Sequence, residues 1–257
     1  MAYHIDLSGH RTMVTGGGQG VGAEIAATLA RAGAEVLVND LLEERAAAVA
    51  ERIVAAGGRA KPVAFDVTDY DAVIAAFGAH PPVDILVNNA GNAGRATSLG
   101  MEDLVPFLET QPGDWDTFMR VNLYGVMYTT RAALPRMVEA SWGRIITIIS
   151  DAGRVGEPRQ TAYAAAKAGA AGFSRALARE LGRDNITVNC VSLGAINTQG
   201  LPPEEEAKLA PMLKRYVVRR RGLPSDVAAM VTFLASPQAE WITGQTIPVN
   251  GGYSFAL

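Results

Sequence analysis

Seven short runs of β-branched and apolar residues punctuate the chain: RTMVTG, EVLVND, KPVAFDV, VDILVNNAG, RIITIIS, ITVNCVS and QTIPVNGG. Alanine-rich helical stretches separate them. The strand runs are continuously apolar rather than alternating, so they are expected to be buried on both faces, as in a parallel sheet between two helix layers. The pattern predicts an α/β protein with a Rossmann-like doubly wound parallel sheet of about seven strands, helices on both faces, in a single domain over 1–257. In such sheets ligands bind at the carboxyl ends of the strands, and the residues with chemical potential fall there.

Two segments break the rhythm. Residues 92–113 form a long connection with a helix-like core, MEDLVPFLE. Residues 194–223 carry Pro202-Pro203, an acidic Glu204–Glu206 start and a basic Arg219–Arg221 end, a charge order that suits a short helix opposing its own dipole. Both charge runs read as solvated surface, and the stretch near 195–222 reads as a mobile loop over a substrate site.

Composition supports a packed core, with 49% apolar and 19% charged residues, and no linker or low-complexity run divides the chain. The net charge of -3 gives no reason to expect nucleic acid. The single cysteine, Cys190, sits in an apolar run and excludes an intrachain disulfide. The N-terminus has no signal-peptide character, and no apolar stretch approaches membrane-spanning length, so a cytoplasmic protein with no membrane association is expected. His4, His10 and His80 are scattered and no ligand spacing appears, so no metal is expected.

The turn Thr15-Gly-Gly-Gly-Gln-Gly-Val-Gly22 joins the first strand to the first helix. Glycines let the backbone approach a pyrophosphate, and the helix N-terminus presents unpaired N–H groups to it, so Gly16, Gly18, Gln19, Gly20 and Val21 are candidate cofactor contacts. Asp40 closes the second strand about 20 residues on, where a carboxylate accepts hydrogen bonds from the ribose hydroxyls and repels a 2'-phosphate. Leu41 comes next with no adjacent cation, so NAD is the expected cofactor. Asp66 and Val67, at the end of the third strand, are placed by the same logic at the adenine.

Ser150, Tyr163 and Lys167 form S-x12-Y-x3-K. Tyr163 and Lys167 stand four residues apart, so on a helix they share a face. A phenol is a poor acid/base at neutral pH, and a neighbouring ammonium is expected to lower its pKa toward a working range. This pattern points to ketone or alcohol redox chemistry.

With TGGGQGVG, Asp66, NNAG at 88–91, Asn122 in RVNLYG, Ser150, YAAAK and the segment 189–198 in order, the whole chain resembles the short-chain dehydrogenase/reductase family. The resemblance implies a catalytic tetrad of Asn122, Ser150, Tyr163 and Lys167, with Asn122 holding a proton-relay water and Lys167 also on the nicotinamide ribose. It further implies Asn89 and Gly91 on the adenosine and ribose side, Ile196 and Thr198 at the carboxamide, and a homotetramer. Leu193 stands where the family has proline, predicting a slightly looser loop. The leading expectation is an NAD-dependent dehydrogenase of a small-molecule secondary alcohol or ketone, a hydroxyacyl-CoA or a cyclic alcohol. The alternative is a 3-oxoacyl-carrier-protein reductase using NADPH, against which stand Asp40 and Glu139-Ala-Ser-Trp142, the latter lying where such reductases present basic residues. A non-catalytic nucleotide-sensing scaffold is the third reading, and retention of the tyrosine and lysine weighs against it. Arg154, after Ser150, is either a contact for an acidic substrate group or a loop residue.

Overall fold

A computed structural model of the chain describes residues 4–92, 105–198, 204 and 208–255. The seven apolar runs become β1 (Arg11–Val14), β2 (Glu35–Asp40), β3 (Arg59–Ala64), β4 (Ile85–Asn88), β5 (Gly143–Ser150), β6 (Ile186–Leu193) and β7 (Thr246–Val249). They form one sheet in the order β3-β2-β1-β4-β5-β6-β7, with every pairing parallel. The order reverses between β1 and β4, which opens a crevice at their carboxyl ends. Val14 lies opposite both Val38 and Val87, so the glycine turn leaves the sheet beside that crevice.

Helices α1 (Gly20–Arg31), α2 (Glu43–Ala55), α3 (Tyr70–Ala79), α4 (Pro112–Met119), α5 (Gly125–Ala140), α6 (Ala152–Val155), α7 (Thr161–Leu181), α8 (Ala210–Leu213) and α9 (Pro224–Ala235) cover the sheet. Successive strand residues point to opposite layers. Val36 and Val38 join the core under α1, α2 and α9, with Ile25, Leu29, Val227 and Val231, while Leu37 joins Met13, Leu86, Met137 and Leu181 on the other face. Burying a side chain of this kind contributes roughly 1.5–3 kcal/mol, so the two layers dominate the stability of the sheet.

Continuous burial holds for β4 and for β5 up to Ser150, but not at the edges. In β3 only Val63 is buried, and Pro62 is tolerated because an edge strand does not need its missing N–H. Of the two irregular segments, residues 93–104 lie outside the described residues. From Val105 the chain enters a 3₁₀ turn, Phe107–Glu109, with Phe107 stacked on Trp115 at 5.4 Å. Pro202-Pro203 and residues 205–207 also lie outside the described residues, and between 208 and 223 the one helical element is α8. Arg220 is not simply solvated: it pairs with Asp226 at 2.7 Å, and Asp226 in turn accepts from the Leu223 amide at the start of α9.

Candidate active site

The glycine turn is pinned by residues from two strands. Asn89, after β4, donates from Nδ2 to the carbonyls of Thr15 and Gly16 at 3.0 and 2.9 Å, and Thr15 Oγ1 accepts from the amides of Asn89 and Ala90, both at 3.0 Å. Asn89 therefore holds the turn rather than facing outward with its amide. A Cβ on Gly22 would sit 2.2 Å from Gly16 O, so only glycine fits where α1 begins against the turn. The N-cap Gln19 supplies no side-chain bond to the helix, leaving the first-turn amides of α1 without a capping side chain.

Gly16, Gln19, Gly20 and Val21 line a cleft of about 420 Å³ together with Asp40, Leu41, Asp66 and Val67, and Asn89, Gly91 and Thr198 complete its lining. Thr198 approaches Gly20, where an added Cβ would meet its Cγ2 at 3.3 Å. Gly18 does not line this cleft, and a Cβ added to it would lie 2.6 Å from Asp40 Oδ2. Asp40 is buried, and its two oxygens accept from the Gly18 amide and the Leu42 amide, each at 3.1 Å. A Cβ on Gly18 would also meet Arg45 Cβ at 2.7 Å, so α2 packs closely against this corner. Asp66 is exposed and accepts from Thr68 N at 2.8 Å, while Val67 packs beside Gly125. Buried Asn39 donates to the carbonyls of Val63 and Phe65, both at 3.1 Å, and accepts from Gly16 N at 3.4 Å, joining β2, β3 and the turn. Its one signal in the sequence is an amide directly after the apolar residues Val36, Leu37 and Val38. This open, glycine-walled cleft with a carboxylate at one end fits a dinucleotide.

Beyond Gly91, which borders the cleft, the four tetrad candidates come together. Ser150 ends β5, and Tyr163 and Lys167 share a face of α7, as their spacing predicts. Tyr163 lies beside Ser150, whose hydroxyl favours the phenolate, and its ring lies edge-on to Phe118 at 6.3 Å. Lys167 is buried and donates to Ile148 O at 2.9 Å, with Nζ 5.9 Å from the Tyr163 ring centroid. Burial lowers the Lys167 pKa to about 8. Burial also raises that of Tyr163, with the Ser150 hydroxyl acting in the opposite direction. The net direction for the phenol is upward, against the expectation from sequence, because desolvation is the largest influence on it. Asn122 sits in a widened π-helical turn, Arg120–Tyr124, fully buried. It donates to Asn92 O at 2.8 Å and Phe118 O at 3.0 Å and accepts from Asn92 N at 3.1 Å. A Cβ on Gly91 would lie 3.1 Å from Asn122 Oδ1 and 3.3 Å from Lys167 Nζ, so Gly91 is the point where these two side chains meet.

Leu193 and its neighbours are fastened. Leu193 O accepts from Asp151 N at 3.0 Å, Ala195 N donates to Tyr216 Oη at 3.0 Å, and Ile196 forms a parallel bridge with Gly222. Ile196 lines a separate cavity of about 560 Å³ with Tyr216 and Val218, not the nucleotide cleft. Arg154 is engaged by Asp151 at 2.9 Å, by Ser254 and by the Phe255 carbonyl, so it belongs to the protein's own scaffold. Glu139 to Trp142 lie where α5 passes into β5, at the amino end of the strand whose carboxyl end carries Ser150. That segment therefore says nothing about a substrate arm at the site. Among the described residues no group of three or more His, Cys, Asp or Glu is arranged to hold a metal ion, and no helix is long and apolar enough to cross a membrane.

A family model described as enoyl-(acyl carrier protein) reductase matches residues 16–254. The chain belongs to the short-chain dehydrogenase/reductase family. It is 35% identical over 255 residues to the 3-oxoacyl-[acyl-carrier-protein] reductase FabG of Chlamydia pneumoniae, covering 98% of this chain and 99% of that protein. It is 38% identical over 249 residues to a (2S)-[(R)-hydroxy(phenyl)methyl]succinyl-CoA dehydrogenase subunit, BbsD, of Thauera aromatica, covering 94% and 95% of the two chains. A crystal structure of a 3-oxoacyl-[acyl-carrier protein] reductase with bound NAD from Brucella melitensis superposes with a TM-score of 0.88 at 35% identity, covering 98% of this chain and 94% of that one. Another solved relative holds NADP, so members of the family differ in which nicotinamide cofactor they carry. As a member of this family the protein is an oxidoreductase acting between CH–OH and keto groups with a nicotinamide cofactor.

Proposed function

We propose that the protein is a 3-oxoacyl thioester reductase of the acyl-carrier-protein type, using NAD(H). The observation that carries the chemistry is the convergence of Ser150, Tyr163 and buried Lys167 beside Gly91, at the border of the glycine-walled cleft. The relatives named as carrier-protein reductases support the substrate, and the position of Glu139 to Trp142, away from the site, removes the objection drawn from that segment.

The bound cofactor supplies the hydride. Tyr163 Oη gives a proton to the forming alkoxide, or takes it from the alcohol in the reverse direction. Ser150 Oγ holds the substrate oxygen beside that phenol. Lys167, with Nζ 5.9 Å from the Tyr163 ring centroid, places its ammonium where it opposes the charge of the phenolate left behind. Asn122 fixes the Asn92 backbone beside Lys167, and Asn89 keeps the glycine turn in place for the pyrophosphate. Asp40 receives the adenosine ribose, and as a buried carboxylate it disfavours a 2'-phosphate. We further propose a homotetramer.

A second reading, a hydroxyacyl-CoA dehydrogenase, is favoured by the match to the succinyl-CoA dehydrogenase subunit. The two carriers share the 3-oxoacyl group and differ in the arm that holds it. Assays with acetoacetyl-carrier protein, acetoacetyl-CoA and a cyclic ketone, each with NADH and NADPH, separate them. A higher kcat/KM for the carrier-protein thioester with NADH is expected. A preference for the CoA ester selects the second reading, and no turnover of either thioester would overturn both.

A further inference from the structure

The residue after Ser150 is a buried carboxylate to which the reaction assigns no task. Asp151 Oδ1 accepts from Ser192 Oγ at 2.7 Å and Arg154 Nη1 at 2.9 Å, and Oδ2 accepts from Asn250 Nδ2 at 2.6 Å and Ser254 Oγ at 2.8 Å. These donors come from β6, α6 and the C-terminal tail. Four hydrogen bonds and one counter-charge compensate the desolvation of the carboxylate, whereas removing one of them leaves a buried acceptor unpaired. Its own amide is bonded to Leu193 O, and Ser150 Oγ accepts from the next amide, Ala152 N, at 3.2 Å. The tail is fastened a second time, further out. Tyr253 Oη bonds to Glu157, in the connection between α6 and α7, and to Arg215, beside Tyr216, which itself holds Ala195.

We propose that Asp151 is a positioning residue, through which the C-terminal tail at 250–255 straps the turn carrying Ser150 and sets the placement of Ser150 Oγ against Tyr163. This rests on the reading that Ser150 and Tyr163 carry the reaction. A strap that only added stability would change the fraction of folded enzyme. A positioning strap changes the hydride step in every folded molecule.

The test uses Asp151→Asn, Ser254→Ala and a chain ended after Gly252, with active sites counted by cofactor fluorescence. Asp151→Asn is expected to lower kcat per active site by about tenfold and Ser254→Ala by about threefold, with cofactor Kd within about twofold of wild type. The primary isotope effect on kcat with 4-deuterated NADH should rise in both, because hydride transfer becomes more fully rate-limiting. That effect is independent of how much enzyme is folded. Should Asp151→Asn fail to fold, Ser254→Ala and the shortened chain decide the matter. Wild-type kcat per site and a wild-type isotope effect in both tail variants would overturn the proposal. Tyr163→Phe in the same assay tests the underlying reading by itself: its inactivity leaves the strap as the only question, and its full activity removes the reading on which the strap depends.

Discussion

At the scale of single residues, the site is governed by what burial does to two titratable groups. Tyr163→Phe removes the only proton that the ring can exchange and leaves its packing against Phe118 intact. Turnover is expected to fall at least about a thousandfold while NADH binding, measured by fluorescence, is retained. Lys167 carries a consequence for stability. Its pKa falls from 10.5 to about 8 on folding, so below pH 8 both states hold the proton and the folded chain bears the cost of a buried ammonium. Between these values the folded state releases the proton first, so stability rises with pH, and above 10.5 the cost is gone. The difference is on the order of 3 kcal/mol. Thermal unfolding of wild type and Lys167→Met across pH 7 to 11 should therefore show the wild type gaining on the variant as pH passes 8, and a constant gap would contradict it. At the nucleotide end, Asp40→Ala should erode the preference for NADH, measured as the ratio of kcat/KM values, because the charge that repels a 2'-phosphate is removed.

At the scale of elements, the glycine turn and the helix after it form one unit. Gly22→Ala sets a methyl group 2.2 Å from Gly16 O and 2.4 Å from Asn89 Nδ2, and backbone oxygen cannot swing aside as a long side chain could. The turn must shift, with an expected cost of about 1–3 kcal/mol in thermal or denaturant unfolding and a tenfold or greater loss of cofactor affinity. The turn is legible in the sequence because it sits between a strand run and a helical run, and the seven strands are legible because central parallel strands are buried on both faces. The pairing of Tyr163 and Lys167 comes from helical spacing alone. Asn122 is identified by resemblance, but its π turn is not: a shift from i−4 to i−5 bonding leaves no mark on residue type, and RVNLYG reads as ordinary helix. Asp151 and Asn250 are 99 residues apart, and no local pattern announces such a bond. The direction of the Tyr163 shift escapes the sequence for a related reason, since burial depends on the whole packed layer and not on the neighbour four residues away.

At the scale of the molecule, seven parallel strands bring every candidate residue to one edge of the sheet and leave the remaining surface for other work. Among the described residues the terminal strand β7 has no partner beyond it, and all four of its residues are half-buried. An edge of this kind invites pairing or cover. Nearby, Val217 and Phe255 are 70% and 71% exposed, which is a large apolar area for a chain that stays alone. On α7, Ala165 and Ala168 face solvent and Gly172 is half-buried, so another helix could approach this face closely. The proposed homotetramer would use both surfaces. Light scattering is expected to give four chain masses for the wild type. Ala168→Arg places a long cation on the small-residue face without touching the buried side of α7, where Ala166, Lys167 and Ala170 pack, so helical content by circular dichroism should be unchanged while the mass falls. A wild-type mass of one chain would sink the assembly. A tetramer that survives Ala168→Arg would move the contact off α7 and leave the β7 edge to account for it.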